Sequence, residues 1–179
     1  MTAIAVETDT VDLTLERARS GDHDAFAQLV SDHQSMVYSI PLHFFRDADR
    51  AADVAQDAFL QLYRSLADIE DRVHLVHWLR QVTSRRCIDI ARRARFQLVP
   101  LEAAFELASP PTVRDPFLSR RMVECIAALP DAQRILVILR YQEDLGPNEI
   151  SAIVEKPVNT VKCQLHRALR ALRAMLEKR

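Results

Sequence analysis

The sequence predicts an all-α protein made of two small helical domains joined by a flexible linker. The chain of 179 residues has only two glycines, Gly21 and Gly146, whereas β-rich folds need many glycine turns. Apolar residues recur at helical spacing along most of its length. That periodicity is lost over residues 97–116, which hold four of the eight prolines.

These boundaries divide the chain into four segments. Residues 1–11 are expected to be a disordered leader, and residues 12–96 the first domain. Residues 97–116 are the expected linker, and residues 117–179 the second domain.

The first domain is predicted to hold three long helices. One opens near Asp24, capped by Ser20 or Asp22, with a kink at Pro41. The next runs from about Asp49 to Leu66, with these residues inward: Val54, Ala55, Ala58, Phe59, Leu62 and Tyr63. The stretch LADIEDRVHLV, residues 66–76, is predicted to be a loop, and a third helix follows from about Val76 to Arg95.

The second domain ends in two helices joined by a tight bend, in the stretch EISAIVEKPVNTVKCQLHRALRAL (149–172). Gly146 and Pro147 suit the N-cap and first helical position before it. The last helix has one apolar face: Val161, Leu165, Ala168, Leu169, Leu172 and Leu176. The bend has no glycine, so a positive φ at Glu155 would cost about 1 kcal/mol. Periodicity alone fits either a DNA-reading helix-turn-helix or an amphipathic hairpin.

Charge is unevenly distributed in a chain of net charge −1. Residues 1–71 carry 5 Lys/Arg against 14 Asp/Glu, and residues 97–133 carry 3 against 5. Residues 72–96 carry 7 against 1, and residues 134–179 carry 9 against 5. The two basic segments indicate anion-facing surfaces, whereas the acidic first segment favours a protein partner.

Several functional classes do not fit the sequence. No apolar run approaches the roughly 18 residues that span a bilayer, and the acidic N-terminus is unlike a signal peptide. Cys87, Cys125 and Cys163 cannot all pair, which favours a reducing cytoplasm. Without phosphate loop, nucleophile elbow or paired carboxylates, neither an enzyme nor a cofactor is expected. The HxxH of His74 and His77 lacks further zinc ligands, so no metal is expected either.

Three stretches resemble one protein family. LPDAQRILVILRYQEDLGPNEISAIVEKPVNTVKCQLHRALRAL is similar to region 4 of the extracytoplasmic-function (ECF, group 4) sigma factors of bacterial RNA polymerase, in the sigma-70 family. RAADVAQDAFLQLYRSL resembles their region 2.2, and WLRQVTSRRCIDIARRAR resembles their regions 2.3–2.4. The resemblance covers about residues 12–96 and 117–179, in the family's order.

The resemblance implies a function and its partners. The first domain would be the sigma region 2 bundle, and the second the region 4 helix-turn-helix. Together they would direct promoter-specific initiation by core RNA polymerase. The implied partners are the β′ clamp helices and β flap of the polymerase, promoter DNA as −35 duplex and −10 single strand, and an anti-sigma factor. Direct membrane insertion is not expected.

The positions that match the family's motifs are implied to bind polymerase or promoter DNA. None of them is implied to be catalytic. The implied polymerase-binding residues are Asp53, Gln56, Asp57, Phe59, Leu60 and Arg64. The implied −10 residues are Trp78, Arg80, Arg85, Arg86, Arg92 and Arg93. The implied −35 residues are Asn159, Thr160, Lys162, Gln164 and Arg167. For Phe59, Leu60 and Trp78 the alternative is packing in the core.

Three departures from the family pattern predict, in order, an unusual −10 preference, an altered helix angle and a shifted −35 preference. Arg85 replaces an asparagine near the captured −10 base, and Glu155 replaces the turn glycine. Cys163 and Gln164 stand where serine and arginine are common. Two other functions stay open: a stand-alone helix-turn-helix regulator that binds DNA as a dimer, and a helical protein–protein adaptor.

Overall fold

The described part of the protein consists of helices joined by short turns. The computed structural model describes residues 13–96 and 116–177, and these two ranges contain no strand. The all-α prediction is therefore confirmed for them. The predicted leader lies outside the described residues, and so does the predicted linker apart from Pro116, where a helix begins.

Within residues 13–96 and 116–177, eight α-helices form two units of four. The N-terminal unit contains α1 (13–19), α2 (His23–Phe45), α3 (Ala48–Ser65), a short 3₁₀ turn (Leu66–Asp68) and α4 (Arg72–Phe96). The C-terminal unit contains α5 (Pro116–Ala127), α6 (Asp131–Tyr141), α7 (Pro147–Val154) and α8 (Val158–Glu177).

Aspartate caps set the start of two long helices. Of the two caps predicted for α2, Asp22 is the one used, and its side chain accepts hydrogen bonds from the backbone N–H groups of Asp24 and Ala25. It follows Gly21, whose φ of 94° favours glycine. Asp47 caps α3 in the same way. Pro41, the predicted kink, is buried inside a helix that continues to Phe45.

The start of α4 corrects the sequence prediction. The helix begins at Arg72, four residues before the predicted Val76, so the second half of the predicted loop is helical. Asp71 explains the earlier start, because its Oδ1 accepts from the His74 backbone N–H at 2.8 Å, in the manner of an N-cap. The extra turn buries Leu75 completely.

Two apolar clusters hold the fold together. The first lies within the N-terminal unit and is centred on residues such as Leu29, Leu62 and Leu79. The second is built mainly from the C-terminal unit. It also contains buried residues of the N-terminal unit: Ile40, Phe44, Val54 and Cys87. The two units therefore pack directly against each other through shared apolar side chains.

Candidate polymerase- and nucleic-acid-binding surfaces

Helix α3 has one polar face that carries five of the six predicted polymerase-binding residues. They recur three or four positions apart, which aligns them on one side of a helix: Asp53, Gln56, Asp57, Leu60 and Arg64. The opposite side is buried in the core: Ala51, Val54, Ala58 and Leu62. The structure thus brings these five side chains together on an accessible surface.

Phe59 and Leu60 have different surroundings. Phe59 is partly buried against the N-terminal core, whereas Leu60 is 48% exposed. Tyr63, predicted to point inward, is also 48% exposed, so that prediction is wrong. Its ring packs edge-on against Phe26, with centroids 5.1 Å apart, on the flank of the helix next to Leu60. The three-residue spacing of Leu60 and Tyr63 is the sequence signal for this apolar patch.

The predicted −10 residues of α4 lie on more than one side of the helix. Trp78, Arg85 and Arg92 are seven residues apart and therefore follow one line. Trp78 is partly buried against the N-terminal core. Arg80 lies on a different side, one turn from the fully buried Ser84, and faces the C-terminal unit.

Two arginines of α4 are paired with glutamates of the C-terminal unit. Arg80 Nε lies 3.3 Å from Glu143 Oε2, with side chains 22% and 9% exposed. Arg85 forms a second ion pair, with Glu155. Gln81 adds a hydrogen bond at 3.1 Å from its Nε2 to Glu155 Oε1. Arg80, Gln81 and Arg85 are therefore engaged by acidic groups of the same chain.

The other predicted −10 arginines of α4 either pair within the N-terminal unit or form no ion pair among the described residues. Arg86 pairs with Asp57 of α3, so a predicted −10 residue and a predicted polymerase-binding residue contact each other. Arg92 Nη2 lies 3.0 Å from Asp89 Oδ1 on the same helix. Within the described part of the chain, Arg93 makes no ion pair and is exposed. The exposed end of α4 is its most accessible basic surface.

The start of α7 is built as the sequence predicts. Gly146 is the N-cap, and Pro147 is the first helical residue. The Gly146 N–H donates to Glu149 Oε2 at 2.7 Å, which places a carboxylate at the positive end of the helix.

The bend between α7 and α8 is closed without glycine. Glu155 has φ 51° and ψ 47°, the left-handed conformation that glycine adopts most easily, and its N–H donates to the Ser151 carbonyl. The Ser151 hydroxyl donates to the Lys156 carbonyl at 2.6 Å, and the Lys156 N–H donates to the Ser151 carbonyl at 3.2 Å. These bonds offset the strain of about 1 kcal/mol at Glu155.

Helix α8 has a buried face and an open one. Val161, Leu165, Ala168 and Leu172 are buried as predicted, whereas Leu169 is 42% exposed, so its placement on the buried face is wrong. Its position on the helix explains this, because it lies at the edge of the apolar face.

The predicted −35 residues differ in accessibility. Asn159, Lys162 and Arg167 are exposed, whereas Thr160 and Gln164 are half-buried. The Gln164 Oε1 is buried and has no hydrogen-bond partner within the described residues. The open face near the start of α8 therefore offers an amide and two cations, a combination suited to base edges and phosphates.

The cysteines separate into one accessible thiol and two buried ones. Cys163 is exposed, and Cys87 and Cys125 are buried. Burial raises the pKa of the Cys87 thiol to about 12. Among the residues that the structure describes there is no grouping of side chains that could hold a metal ion. No helix in residues 13–96 or 116–177 is long and apolar enough to cross a membrane.

Two family models match the chain in order. Sigma-70 region 2 matches residues 29–97, and Sigma-70, region 4 matches residues 119–172. The first match covers α3 and α4, and the second covers the bend and most of α8. The surfaces of α3 and α4 therefore fall within region 2, and the surface of α8 falls within region 4.

Curated relatives and solved structures agree with these matches. The chain is 27% identical over 176 residues to ECF RNA polymerase sigma factor SigW of Bacillus subtilis (strain 168), covering 90% of this chain and 94% of that protein. It is 26% identical over 186 residues to ECF RNA polymerase sigma factor SigK of Mycobacterium ulcerans (strain Agy99), covering 99% of each.

Two solved structures share the fold. CnrH, in complex with the cytosolic domain of CnrY, has a TM-score of 0.68 at 22% identity, over 93% of this chain and 97% of that one. RpoE of Bartonella quintana, in complex with the anti-sigma factor NepR, has a TM-score of 0.72 at 18% identity, over 86% and 97%.

Proposed function

The chain belongs to the sigma-70 family of RNA polymerase sigma factors, and from this premise we propose which of its surfaces bind polymerase and which read the promoter. It is an ECF-type sigma factor, a non-enzymatic protein that directs polymerase to promoters. One observation supports the assignment of residues to these surfaces. Within the two matched regions, α3 has an open polar face and α8 has an open cationic face.

The polymerase-binding surface is the exposed face of α3. Asp53, Gln56, Asp57 and Arg64 supply charge and hydrogen bonds, and Leu60 supplies an apolar contact beside the exposed ring of Tyr63. An exposed apolar side chain surrounded by polar ones is the pattern of a protein-binding site. The expected ligand is the clamp helices of the β′ subunit. Phe59 supports this face from the core, since it is partly buried.

The −10 element is bound by α4. Arg85, Arg86, Arg92 and Arg93 would follow the phosphates of the melted strand, with Arg80 near the start of the helix. The partly buried Trp78 would stiffen this end of the helix and offer a ring edge to a base. Because Arg80, Arg85 and Arg86 each have an acidic partner in the structure, these partners must be exchanged for phosphate on binding.

The −35 element is bound in its major groove by the first turns of α8. Asn159 and Thr160 are placed to meet base edges, and Lys162 and Arg167 to meet phosphates. Gln164 is half-buried and can contribute once its amide rotates outward. Each element alone gives weak binding, so tight promoter binding requires polymerase to hold both units at a fixed spacing.

An anti-sigma factor is the proposed regulatory partner. Two proteins of this fold were solved with a partner bound. RpoE was solved with the anti-sigma factor NepR, and CnrH with the cytosolic domain of CnrY. The proposed site of action is the cytoplasm, where polymerase and DNA are found. The three cysteines, which form no disulfide, are consistent with a reducing compartment.

Run-off transcription tests the function as a whole. Purified core polymerase is incubated with fragmented genomic DNA, with and without the protein, and the RNA 5′ ends are sequenced. A sigma factor produces defined new start sites, whereas a stand-alone regulator binds duplex DNA without polymerase and an adaptor yields no promoter. Absence of new start sites together with failure to bind core polymerase would refute the proposal.

A paired substitution tests the polymerase-binding face. Leu60→Glu should lower affinity for core polymerase at least tenfold, because it places a charge in the centre of the contact. Val73→Glu is the matched control, since Val73 is 78% exposed and lies on α4. Co-purification with core polymerase measures both. Equal loss in the two variants would mean that α3 has no special role.

A further inference from the structure

A short loop, residues 66–71, joins α3 to α4. Leu66 and Ile69 anchor this loop in the N-terminal core, where Ile69 is fully buried. Its other four side chains are exposed. The loop therefore connects the proposed polymerase-binding helix to the proposed −10-binding helix, and its conformation sets how α4 begins.

The guanidinium of Arg19 binds the backbone of this loop at two places. Arg19 is the last residue of α1. Its Nε donates to the Leu66 carbonyl at 3.2 Å, and its Nη2 donates to the Glu70 carbonyl at 3.0 Å. Because a guanidinium is planar and its N–H groups have fixed directions, it can hold two acceptors in one geometry. Arg19 thus ties the start of the loop to its end.

Helix α1 holds Arg19 in place for this task. Leu15 and Ala18 of α1 are buried in the N-terminal core. Arg17, two residues before Arg19, instead forms an ion pair with Asp22 at 2.6 Å. Two arginines of one helix therefore have different partners, and Arg19 is the one that binds the loop.

His74 of α4 binds the same loop from its other end. The Glu70 N–H donates to His74 Nδ1 at 3.1 Å, and the His74 N–H donates to Asp71 Oδ1 at 2.8 Å. Both backbone groups of Glu70 are thus bound by side chains, its carbonyl by Arg19 and its N–H by His74. The backbone at Glu70 is fixed from two helices in the free protein.

The loop lies at one end of the proposed −10 surface. His74 and Trp78 are four residues apart, and Trp78 and Arg85 are seven apart, so the three follow one line along α4. His74 stands at the loop end of that line and accepts the hydrogen bond from Glu70. Arg19 therefore connects to the −10 surface through Glu70 and His74.

We propose that Arg19 is a positioning residue for capture of the −10 strand, because it fixes the loop and the first turn of α4 before the strand binds. The inference rests on the proposed role of α4. A loop that is already ordered loses less conformational freedom on binding. Without Arg19 the two carbonyls bond to water and the loop adopts more conformations, so strand binding weakens.

The test compares three full-length variants in complex with core polymerase. Arg19→Ala removes the guanidinium, and Arg19→Lys keeps the charge but lacks the planar fork that holds two carbonyls. Arg17→Ala is the matched control, since it removes an exposed arginine from the same helix. Fluorescence anisotropy measures the affinity for a labelled single strand that carries the −10 sequence of a promoter found by run-off transcription. Each affinity is measured over a range of salt concentrations.

Arg19→Ala should weaken strand binding roughly tenfold, and Arg19→Lys should recover little of the loss. The slope of log affinity against log salt should stay at the wild-type value, because Arg19 does not bind phosphate in this account. Arg17→Ala should bind the strand as the wild type does. All three variants should bind core polymerase with wild-type affinity, which shows that α3 is intact.

Four results would overturn the proposal. Wild-type strand affinity in Arg19→Ala would show that the loop needs no support from α1. Full recovery by Arg19→Lys would assign the effect to charge, and a slope reduced by about 0.7 would indicate a direct phosphate contact. An equal loss of affinity for core polymerase would indicate a general loss of structure. If the wild-type complex itself does not bind the strand, the proposed role of α4 is wrong, and this proposal with it.

Discussion

At the scale of single residues, α8 divides its side chains between packing and DNA. Val161 and Leu165 are buried, while Lys162 and Arg167 point to solvent from the same turns. Salt dependence can therefore distinguish phosphate contacts from packing, since each cation that neutralises a phosphate releases counterions.

Lys162→Ala and Arg167→Ala should each weaken binding of the polymerase complex to its −35 duplex. Each should also reduce the slope of log affinity against log salt by about 1 if the side chain touches phosphate. The duplex is taken from a promoter identified by run-off transcription. Arg120→Ala, an exposed arginine of α5, is the matched control. Promoter output that is unchanged in both variants would remove this face from the binding surface.

The thiols should react in a fixed order. Cys163 is exposed, whereas Cys87 is buried and its pKa is raised to about 12, so almost none of it is thiolate at neutral pH. We expect one fast-reacting thiol in the native protein and three after denaturation, measured with a chromogenic disulfide reagent. A Cys163→Ser variant should lose the fast phase. A fast phase that persists would contradict the burial of Cys87 and Cys125.

Residue-level exposure was predictable where helical spacing decides it. The buried face of α8 and the open face of α3 both follow from periodicity. Tyr63 and Leu169 were predicted wrongly because they lie at the edges of apolar faces, where the position of the neighbouring helix decides exposure. The partners of Arg80 and Arg85 belong to a distant part of the chain, and spacing along the sequence carries no information about them.

At the scale of elements, the bend between α7 and α8 depends on one strained residue. Glu155 combines a positive φ with a carboxylate that reaches α4. Substitution by alanine removes the carboxylate and keeps the strain, whereas substitution by glycine removes both.

Glu155→Gly should therefore be more stable than Glu155→Ala by about 1 kcal/mol. Urea unfolding of the two variants, followed by circular dichroism, measures the difference. Because both lack the ion pair with Arg85, each serves as the control for the other. Equal stability would mean that residue 155 does not hold a left-handed backbone in solution.

The helix boundaries show which structural features can be predicted from a few neighbouring residues. Gly146, Pro147 and Asp22 act as the sequence predicts, because a helix start depends on a few adjacent residues. The sequence does not reveal the start of α4, because its cap, Asp71, lies in a stretch whose pattern predicts a loop. Burial of Leu75 stabilises the additional turn, and that burial depends on the packing of α2 and α3.

At the scale of the whole molecule, the burial of His33 makes the stability of the protein depend on pH. It lies beside an open cleft of about 300 Å³ that also involves Arg72, Arg80 and Glu143, where the two units meet. Burial lowers the pKa of His33 below its usual 6.5. The Asp32 carboxylate opposes this shift, and Arg72 and Arg80 add to it.

The protein should lose stability as the pH falls through 6.5. Just below pH 6.5 the unfolded chain binds a proton at His33 and the folded chain does not. The contribution of neutral His33 to stability is therefore fully present only above pH 6.5. His33→Gln should reduce the slope of unfolding free energy against pH, and the exposed His166→Gln should leave it unchanged. Urea midpoints above and below pH 6.5 provide the measurement. Identical slopes in wild type and His33→Gln would contradict this account.

The class of fold and the order of the two regions were predictable, because both depend on patterns within each segment. The packing of one unit against the other was not. It depends on Ile40, Phe44 and Cys87, and their apolar character alone does not indicate which cluster they join. Only the three-dimensional arrangement reveals that they join a cluster shared by both units.

Selection from a promoter library tests most directly the claim that one chain reads two elements while bound to polymerase. Core polymerase and the protein transcribe templates randomised across the region upstream of a fixed start, and the transcribed templates are sequenced. We expect two separate selected blocks at one preferred spacing. Lys162→Ala should alter the upstream block and leave the downstream block unaffected. A single palindromic block, or no selection above the polymerase alone, would contradict the account.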